Sequence, residues 1–204
     1  MMKLTCIYKE LGRGSATKQQ MIFKNACVLC RGRAVFAFTG KLWSRFPGLT
    51  KKGMVMSMKL AFGCDPNATD FKAAILEYVK AKGHECVDFG SDDPIYANVA
   101  IQVAEEVAAG HYDRGILFCG TGIGVCIAAN KVKGAYAALV NNVYQAQRVA
   151  LSNNANIITM GAQVTGIEVA KMMVDEYLKS TFDPQSRSMP KVARITEYDK
   201  GAKA

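Results

Sequence analysis

From residue 58 onward, short apolar runs alternate with longer stretches of helical period. Residues 59–63 (KLAFG), 85–89, 115–119 (GILFC), 135–140 and 157–160 read as five strands, three of them nearly continuous in apolar character. Between and after them, residues 69–82, 96–109, a segment opening at Gly120–Gly124 and running through Lys131, 142–153 and 165–179 read as helices. In the first, Phe71, Ala74, Ile75, Tyr78 and Val79 fall on one face, and Gly83 ends it. Continuous apolar strands imply a parallel sheet covered on both faces. Five strand–helix units in about 125 residues fit an open doubly wound α/β sheet and are too few for an eight-unit barrel. Residues 181–204 read as a polar tail with room for one short helix. Ligands of such sheets bind beyond the carboxyl ends of strands where strand order reverses. That rule draws together the loop at Cys64, Asp65, Pro66 and Asn67 and the loop at residues 119–124.

Charge divides the chain in two. The formal net charge of +9 invites a nucleic-acid reading, but it is not spread evenly. Residues 1–57 hold eleven basic residues and one acid, Glu10, giving +10. Residues 58–204 hold fifteen basic and sixteen acidic residues, giving −1. The basicity therefore belongs to an N-terminal extension with scattered glycines and no sustained apolar period. Such a segment reads as disordered, as transit-like, or as translation from an upstream start, with Met54, Met56 and Met58 as alternative initiators. The expected location is cytoplasmic, or organellar if the extension is a working transit segment. No apolar run reaches the roughly 18 residues of a bilayer span, and neither membrane nor nucleic acid is expected as a partner. Cys27 and Cys30 form one CxxC pair. With only Cys6 beside them and no histidine in the extension, they make no zinc site. Cys64, Cys86, Cys119 and Cys126 lack the dense spacing of a disulfide scaffold, which suits a reducing compartment.

The stretch richest in chemistry is residues 118–131, FCGTGIGVCIAANK. A strand enters three spaced glycines and then a helix, so the backbone can approach a ligand closely and free N–H groups face an anion. It is neither a phosphate-binding GxxxxGK[ST] loop nor a good dinucleotide fingerprint, since Gly120, Gly122 and Gly124 give GxGxG. Cys119 stands directly before the glycines, in a setting that favours thiolate. A thiolate beside an oxyanion hole suits acyl transfer or proton abstraction next to a carbonyl. Acyl transfer usually wants a histidine partner, and His84 and His111 both fall at helix–strand turns expected to face away. The residues leave open that Cys119 is a small buried hydrophobe, and that the loop is a non-catalytic phosphate- or nucleotide-binding module.

Gly63-Cys-Asp65, the 119–131 block, Ala150-Leu-Ser-Asn-Asn-Ala-Asn156 and Met160-Gly-Ala162 together resemble the ribose-5-phosphate isomerase B and galactose-6-phosphate isomerase family. The resemblance covers about residues 58–196. It implies an aldose–ketose isomerase of sugar phosphates with no cofactor or metal, a Rossmann-like αβα sandwich, and a homodimer or homotetramer with shared active sites. By the resemblance, Cys119 is the base. Gly120, Thr121, Gly122, Ile123 and Gly124 stabilise the enediolate, and Asp65 assists. Asn153 contacts substrate, Arg187 holds phosphate across a subunit interface, and Lys191 stands where the family has a second arginine. Pro66 and Tyr96 complete the expected pocket.

Two departures narrow the substrate. The family's ribose-phosphate enzymes carry a histidine at the position of Pro66. They carry another, assigned to opening the furanose ring, at the position of Ser152. A serine hydroxyl is a poor acid–base group near neutral pH. A tetrose 4-phosphate cannot close a furanose, because the hydroxyl it would need bears the phosphate, and so it needs no ring opening. The Pro66–Asn67 loop and the run through Ser152 resemble the tetrulose-4-phosphate branch of the family. The expected substrate is therefore D-erythrulose 4-phosphate, with ribose 5-phosphate or galactose 6-phosphate as the alternatives.

Overall fold

The computed structural model describes residues 57–90 and 92–203, together with the backbone of two short strands, Cys27–Cys30 and Arg33–Phe36. Those two strands pair antiparallel, with Cys27 opposite Phe36 and Cys30 opposite Arg33. Otherwise the expected disorder, transit role or alternative start of residues 1–57 falls outside the described residues. The chain divides into two compact units between Met54 and Val55.

The larger unit is built on five parallel strands: β1 (Lys59–Cys64), β2 (Glu85–Asp88), β3 (Arg114–Cys119), β4 (Ala137–Leu139) and β5 (Ile157–Gly161). Their order across the sheet is β2-β1-β3-β5-β4. The direction of winding reverses between β1 and β3, so the loops that follow these two strands are neighbours. Register places Cys64 beside Phe118 and Cys119 beside Gly161.

The period-two alternation of the strands fills two cores. Leu60, Phe62, Ile116, Phe118, Ile158 and Met160 face one side of the sheet. That side is covered by α1 (Thr69–Ala81), α4 (Val143–Leu151) and α5 (Ile167–Lys179), through Ile75, Val79, Val149, Met173 and Tyr177. Ala61, Leu117, Cys119 and Ile157 face the other side, under α2 (Tyr96–Ala108) and α3 (Ile123–Ala129). Helix α2 lies close on the sheet because the residues beneath it are small. A Cβ on Gly63 would stand 2.7 Å from Val99 Cγ2.

Three boundaries differ from the sequence reading. Strand β4 is three residues long, and it is an edge strand. Its outer side is met by the Asn130 side chain, whose Nδ2 donates to the Ala137 carbonyl at 2.8 Å and whose Oδ1 accepts from the Ala137 N–H at 2.9 Å. Helix α4 starts at its Asn142 cap, whose Oδ1 accepts from the Gln145 N–H at 2.8 Å. It stops at Leu151, two residues early, and Asn154 has left-handed φ of 53°. The tail forms a full 11-residue helix, α6 (Met189–Asp199), opened by Pro190 and anchored by buried Val192.

Candidate active site

The carboxyl ends of β1, β3 and β5 converge on the loop after β3. Cys119, the last residue of β3, is 5% exposed, and its Sγ accepts the Gly122 N–H at 3.0 Å. That geometry needs a tight reversal between the two residues. Gly122 supplies it with φ of +79°, in the left-handed region where a side chain is strained. Gly122 also sits against main chain: a Cβ there would lie 2.7 Å from Met160 C and 2.9 Å from Gly161 N. Gly161 repeats the close approach from the other side, with the Thr121 backbone 2.6–2.7 Å from its would-be Cβ. The loop therefore rests on β5 backbone to backbone.

Hydrogen bonds fix the loop further. Fully buried Thr159 donates from Oγ1 to the Gly122 carbonyl at 2.9 Å. The N–H groups of Ala162 and Gln163 donate to the carbonyls of Cys119 and Gly120 at 2.9 and 3.0 Å. With the carbonyls of Cys119, Gly120 and Gly122 tied down, the loop turns the Gly122 N–H to Cys119 Sγ. Thr121 is exposed, and its Oγ1 accepts the Ile123 N–H at 3.4 Å. Ile123 is exposed at the head of α3.

Asp65 extends the same edge from β1. It is 6% exposed, its N–H donates to the Phe118 carbonyl at 3.2 Å, and its Oδ1 accepts the Asn67 N–H at 2.9 Å, capping a short 3-10 turn that begins at Pro66. Capping occupies one carboxylate oxygen, so the cap and a role in the site are compatible. Tyr96, at the start of α2, lies on Gly124; a Cβ there would meet the ring at 2.5–2.7 Å. A groove of about 580 Å³ opens beside this edge between Pro66, Asn67, Thr69 and Phe71 on one wall and Ala162 and Ile167 on the other. It lies on the α1/α5 side of the sheet, whereas Cys119 faces the α2/α3 side.

Asp65, Tyr96 and Cys119 through Gly124 are thus brought together, while Pro66 follows Asp65 along the same edge but lines the groove on the α1/α5 side. Asn153 is not among them, and among the described contacts none joins Arg187 or Lys191 to this cluster. Asn153 precedes β5, whose first residue is level with Gly115 and whose last is level with Cys119. A strand of five residues separates those ends by about 13 Å. The tail is fastened at that amino end too. The Arg114 guanidinium donates to the Tyr177 and Ser180 carbonyls, and Asp199 accepts from the Gly134 N–H at 2.8 Å and the Tyr136 hydroxyl at 3.1 Å. Arg187 and Lys191 are both exposed. His84 and His111 also lie at the amino end, at the entries to β2 and β3, away from Cys119 as the turns implied. Sequence reasoning passed over Gln163, whose Oε1 lies 3.1 Å from a would-be Cβ on Gly120. Its place, two residues past the end of β5 beside Cys119, was the available signal. Among the described residues, no group of three His, Cys, Asp or Glu side chains could hold a metal ion, and no helix is long and apolar enough to cross a membrane.

Fold and site define an open α/β protein with a buried thiol set against a rigid N–H loop at the topological switch point. A model of the Ribose/Galactose Isomerase family matches residues 60–195. The chain is 44% identical to D-erythrulose-4-phosphate isomerase 2 of Mycolicibacterium smegmatis, over 71% of this chain and 99% of that one. It is 42% identical to D-erythrulose-4-phosphate isomerase of Pectobacterium atrosepticum, over 70% and 95%. The ribose-5-phosphate isomerase B of Mycoplasma genitalium, solved with bound ribulose 5-phosphate, superposes with a TM-score of 0.67 at 34% identity, covering 72% of this chain and all of that one. The chain belongs to this family of isomerases.

Proposed function

We propose that residues 58–204 catalyse aldose–ketose isomerisation of D-erythrulose 4-phosphate and D-erythrose 4-phosphate through a cis-enediolate. The observation that carries the reading is the contact of Cys119 Sγ with the Gly122 N–H at 3.0 Å, at the head of a loop whose carbonyls are tied elsewhere. Cys119 thiolate takes the proton from C1 of the ketose, the C1–C2 double bond forms, and the C2 carbonyl oxygen becomes an oxyanion. Loop N–H groups of residues 120–124 stabilise that charge; one donor in comparable sites is worth about 3–4 kcal/mol. Cys119 returns the proton to C2, while Asp65 relays the hydroxyl proton from the C1 oxygen to the C2 oxygen. Thr121 orients the loop, and Tyr96 and Pro66 wall the pocket.

The site takes its phosphate contacts from a second copy of the chain. Asn153 stands at the opposite end of the sheet from Cys119, the tail that carries Arg187 and Lys191 is exposed at both residues, and a neighbouring chain can present them to the loop. The cationic contribution then comes from the neighbour's tail, arginine giving a bidentate fork and lysine a point charge. Ser152 in place of a ring-opening group, and the tetrulose-phosphate isomerases among the relatives, support the four-carbon substrate. No cofactor enters this chemistry.

Cys119→Ala is expected to abolish turnover while sugar-phosphate binding persists; near wild-type turnover would remove Cys119 as the base. Comparing kcat/KM on erythrulose 4-phosphate, ribose 5-phosphate and galactose 6-phosphate tests the substrate, and a preference for ribose 5-phosphate would overturn the argument from Ser152.

A further inference from the structure

Helix α4 carries a cation that the isomerisation scheme does not use. Arg148 lies in its last turn, half-buried, and its guanidinium donates to the Ser152 hydroxyl one turn on. Tyr144, one turn earlier and 71% exposed, shares the stripe. Among the described residues no carboxylate forms an ion pair with Arg148. A guanidinium offers five donors in a planar fork, and a half-buried one that spends them on a neutral hydroxyl keeps its charge available for an anion. Ser152 adjoins Asn153, and both lie at the sheet end where the tail is fastened at Ser180 and Asp199. Because Ser152 Oγ accepts from Arg148, its own proton is free to be donated outward.

We propose that Arg148 and Ser152 form a substrate-binding pair, lent by one chain to the glycine-loop site of its neighbour, with the guanidinium taking the substrate's phosphate and the serine hydroxyl donating beside it. This rests on the shared-site reading above. It also gives Ser152 a task suited to its chemistry: a fixed donor, where acid–base work would need a titrating group. The pair makes the site more cationic at its phosphate end than the tail alone would.

A purely structural role is the alternative, since a cation near a helix C-terminus stabilises the helix dipole. Arg148→Lys preserves that charge but loses the fork. Arg148→Gln is expected to raise KM about tenfold or more, the loss of one charge-assisted hydrogen bond, and to weaken competitive inhibition by inorganic phosphate in parallel. Arg148→Lys should recover the thermal midpoint but not KM. An Arg148→Gln enzyme with unchanged KM and phosphate inhibition would overturn the proposal, as would Arg148→Lys restoring both stability and KM. Mixed assemblies separate this proposal from the reading beneath it. Cys119→Ala chains combined with Arg148→Glu chains should regain activity above either parent, because one intact site forms between them. If Cys119→Ala and Asn153→Ala chains complement while Arg148→Glu alone is fully active, the pair is wrong and the shared site stands. If no combination complements, the shared site fails and the pair with it.

Discussion

The contact of the glycine loop with β5 can be measured by comparing two glycines. Gly122 and Gly110 have nearly the same backbone, φ of +79° and +77°, but different surroundings. Around Gly110 nothing lies within 4 Å of a would-be Cβ. At Gly122 the same atom would meet Met160 C, Gly161 N and Leu139 Cδ1 at 2.7–2.9 Å. Two of those three are main-chain atoms of the central sheet, which have nowhere to go. Gly110→Ala therefore bears only the left-handed penalty, about 1–2 kcal/mol. Gly122→Ala bears that plus overpacking of about 1–3 kcal/mol, for a total of about 2–5 kcal/mol. In a domain this size each kcal/mol moves the thermal midpoint by about 2–4 °C. Urea or thermal unfolding of the two variants should separate them by several degrees. Gly122→Ala should also lose kcat, since the displaced loop moves the Gly122 N–H off Cys119 Sγ, while Gly110→Ala keeps it. Equal midpoints for the two variants would refute the backbone-to-backbone seating of the loop.

Thr159→Val keeps the shape of the side chain but removes the donor to the Gly122 carbonyl; a loss of about 1–2 kcal/mol with a drop in kcat is expected, and Thr159→Ser should recover both. Lys72, whose side chain is 3% exposed, donates to Asp88 at 2.6 Å and to the Gly90 carbonyl at 3.0 Å. Lys72→Met should cost about 1.5–3 kcal/mol in urea unfolding, at the low end for a buried pair because Asp88 remains 44% exposed and can hydrate; no loss would mean the ammonium is not needed to hold the end of β2. Burial, and then the Lys82 charge, hold His84 below its ordinary value of about 6.5, against the opposing Asp175. The neutral ring accepts the Met58 N–H at Nδ1, at 3.2 Å. The unfolded chain takes up this proton more readily than the folded one, so the stabilisation is full above about pH 6.5 and is lost as pH falls through the depressed folded value. The stability gap between wild type and His84→Ala should shrink between about pH 7 and about pH 5; a gap that stays flat would show that the ring is not an acceptor there.

What the sequence disclosed follows from which interactions are local. Strand and helix identities were legible because apolar periods of two and 3.6 residues face local needs: Leu60, Phe62 and Cys64 against Ala61 and Gly63, or Ile75 and Val79 against Glu77 and Lys80. The glycine loop was legible because Gly120, Gly122 and Gly124 perform backbone tasks that other residues cannot. Strand order between β3, β5 and β4 was not written locally, whereas the far placement of Asn153 was, because like His84 and His111 it falls in a helix–strand turn, and in a parallel sheet such turns lie at the amino end. Two signals were weak for identifiable reasons. Helix α6 buries Val192 alone, so its apolar stripe is faint. Gln163 owes its place to β5 lying beside β3, a pairing between residues 42 positions apart in register.

Asn130 has a consequence beyond tying α3 to β4. An edge strand presents a row of unsatisfied N–H and C=O groups, a template on which foreign strands can assemble. At Ala137 the Asn130 carboxamide meets both, its oxygen on the N–H and its nitrogen on the carbonyl, as the peptide of a sixth strand would. One side chain thus closes the sheet on that flank, and three residues of strand leave little else to template. Its value is colloidal: Asn130→Ala uncovers the flank, and soluble protein should be lost to aggregation at concentrations where the wild type stays dispersed.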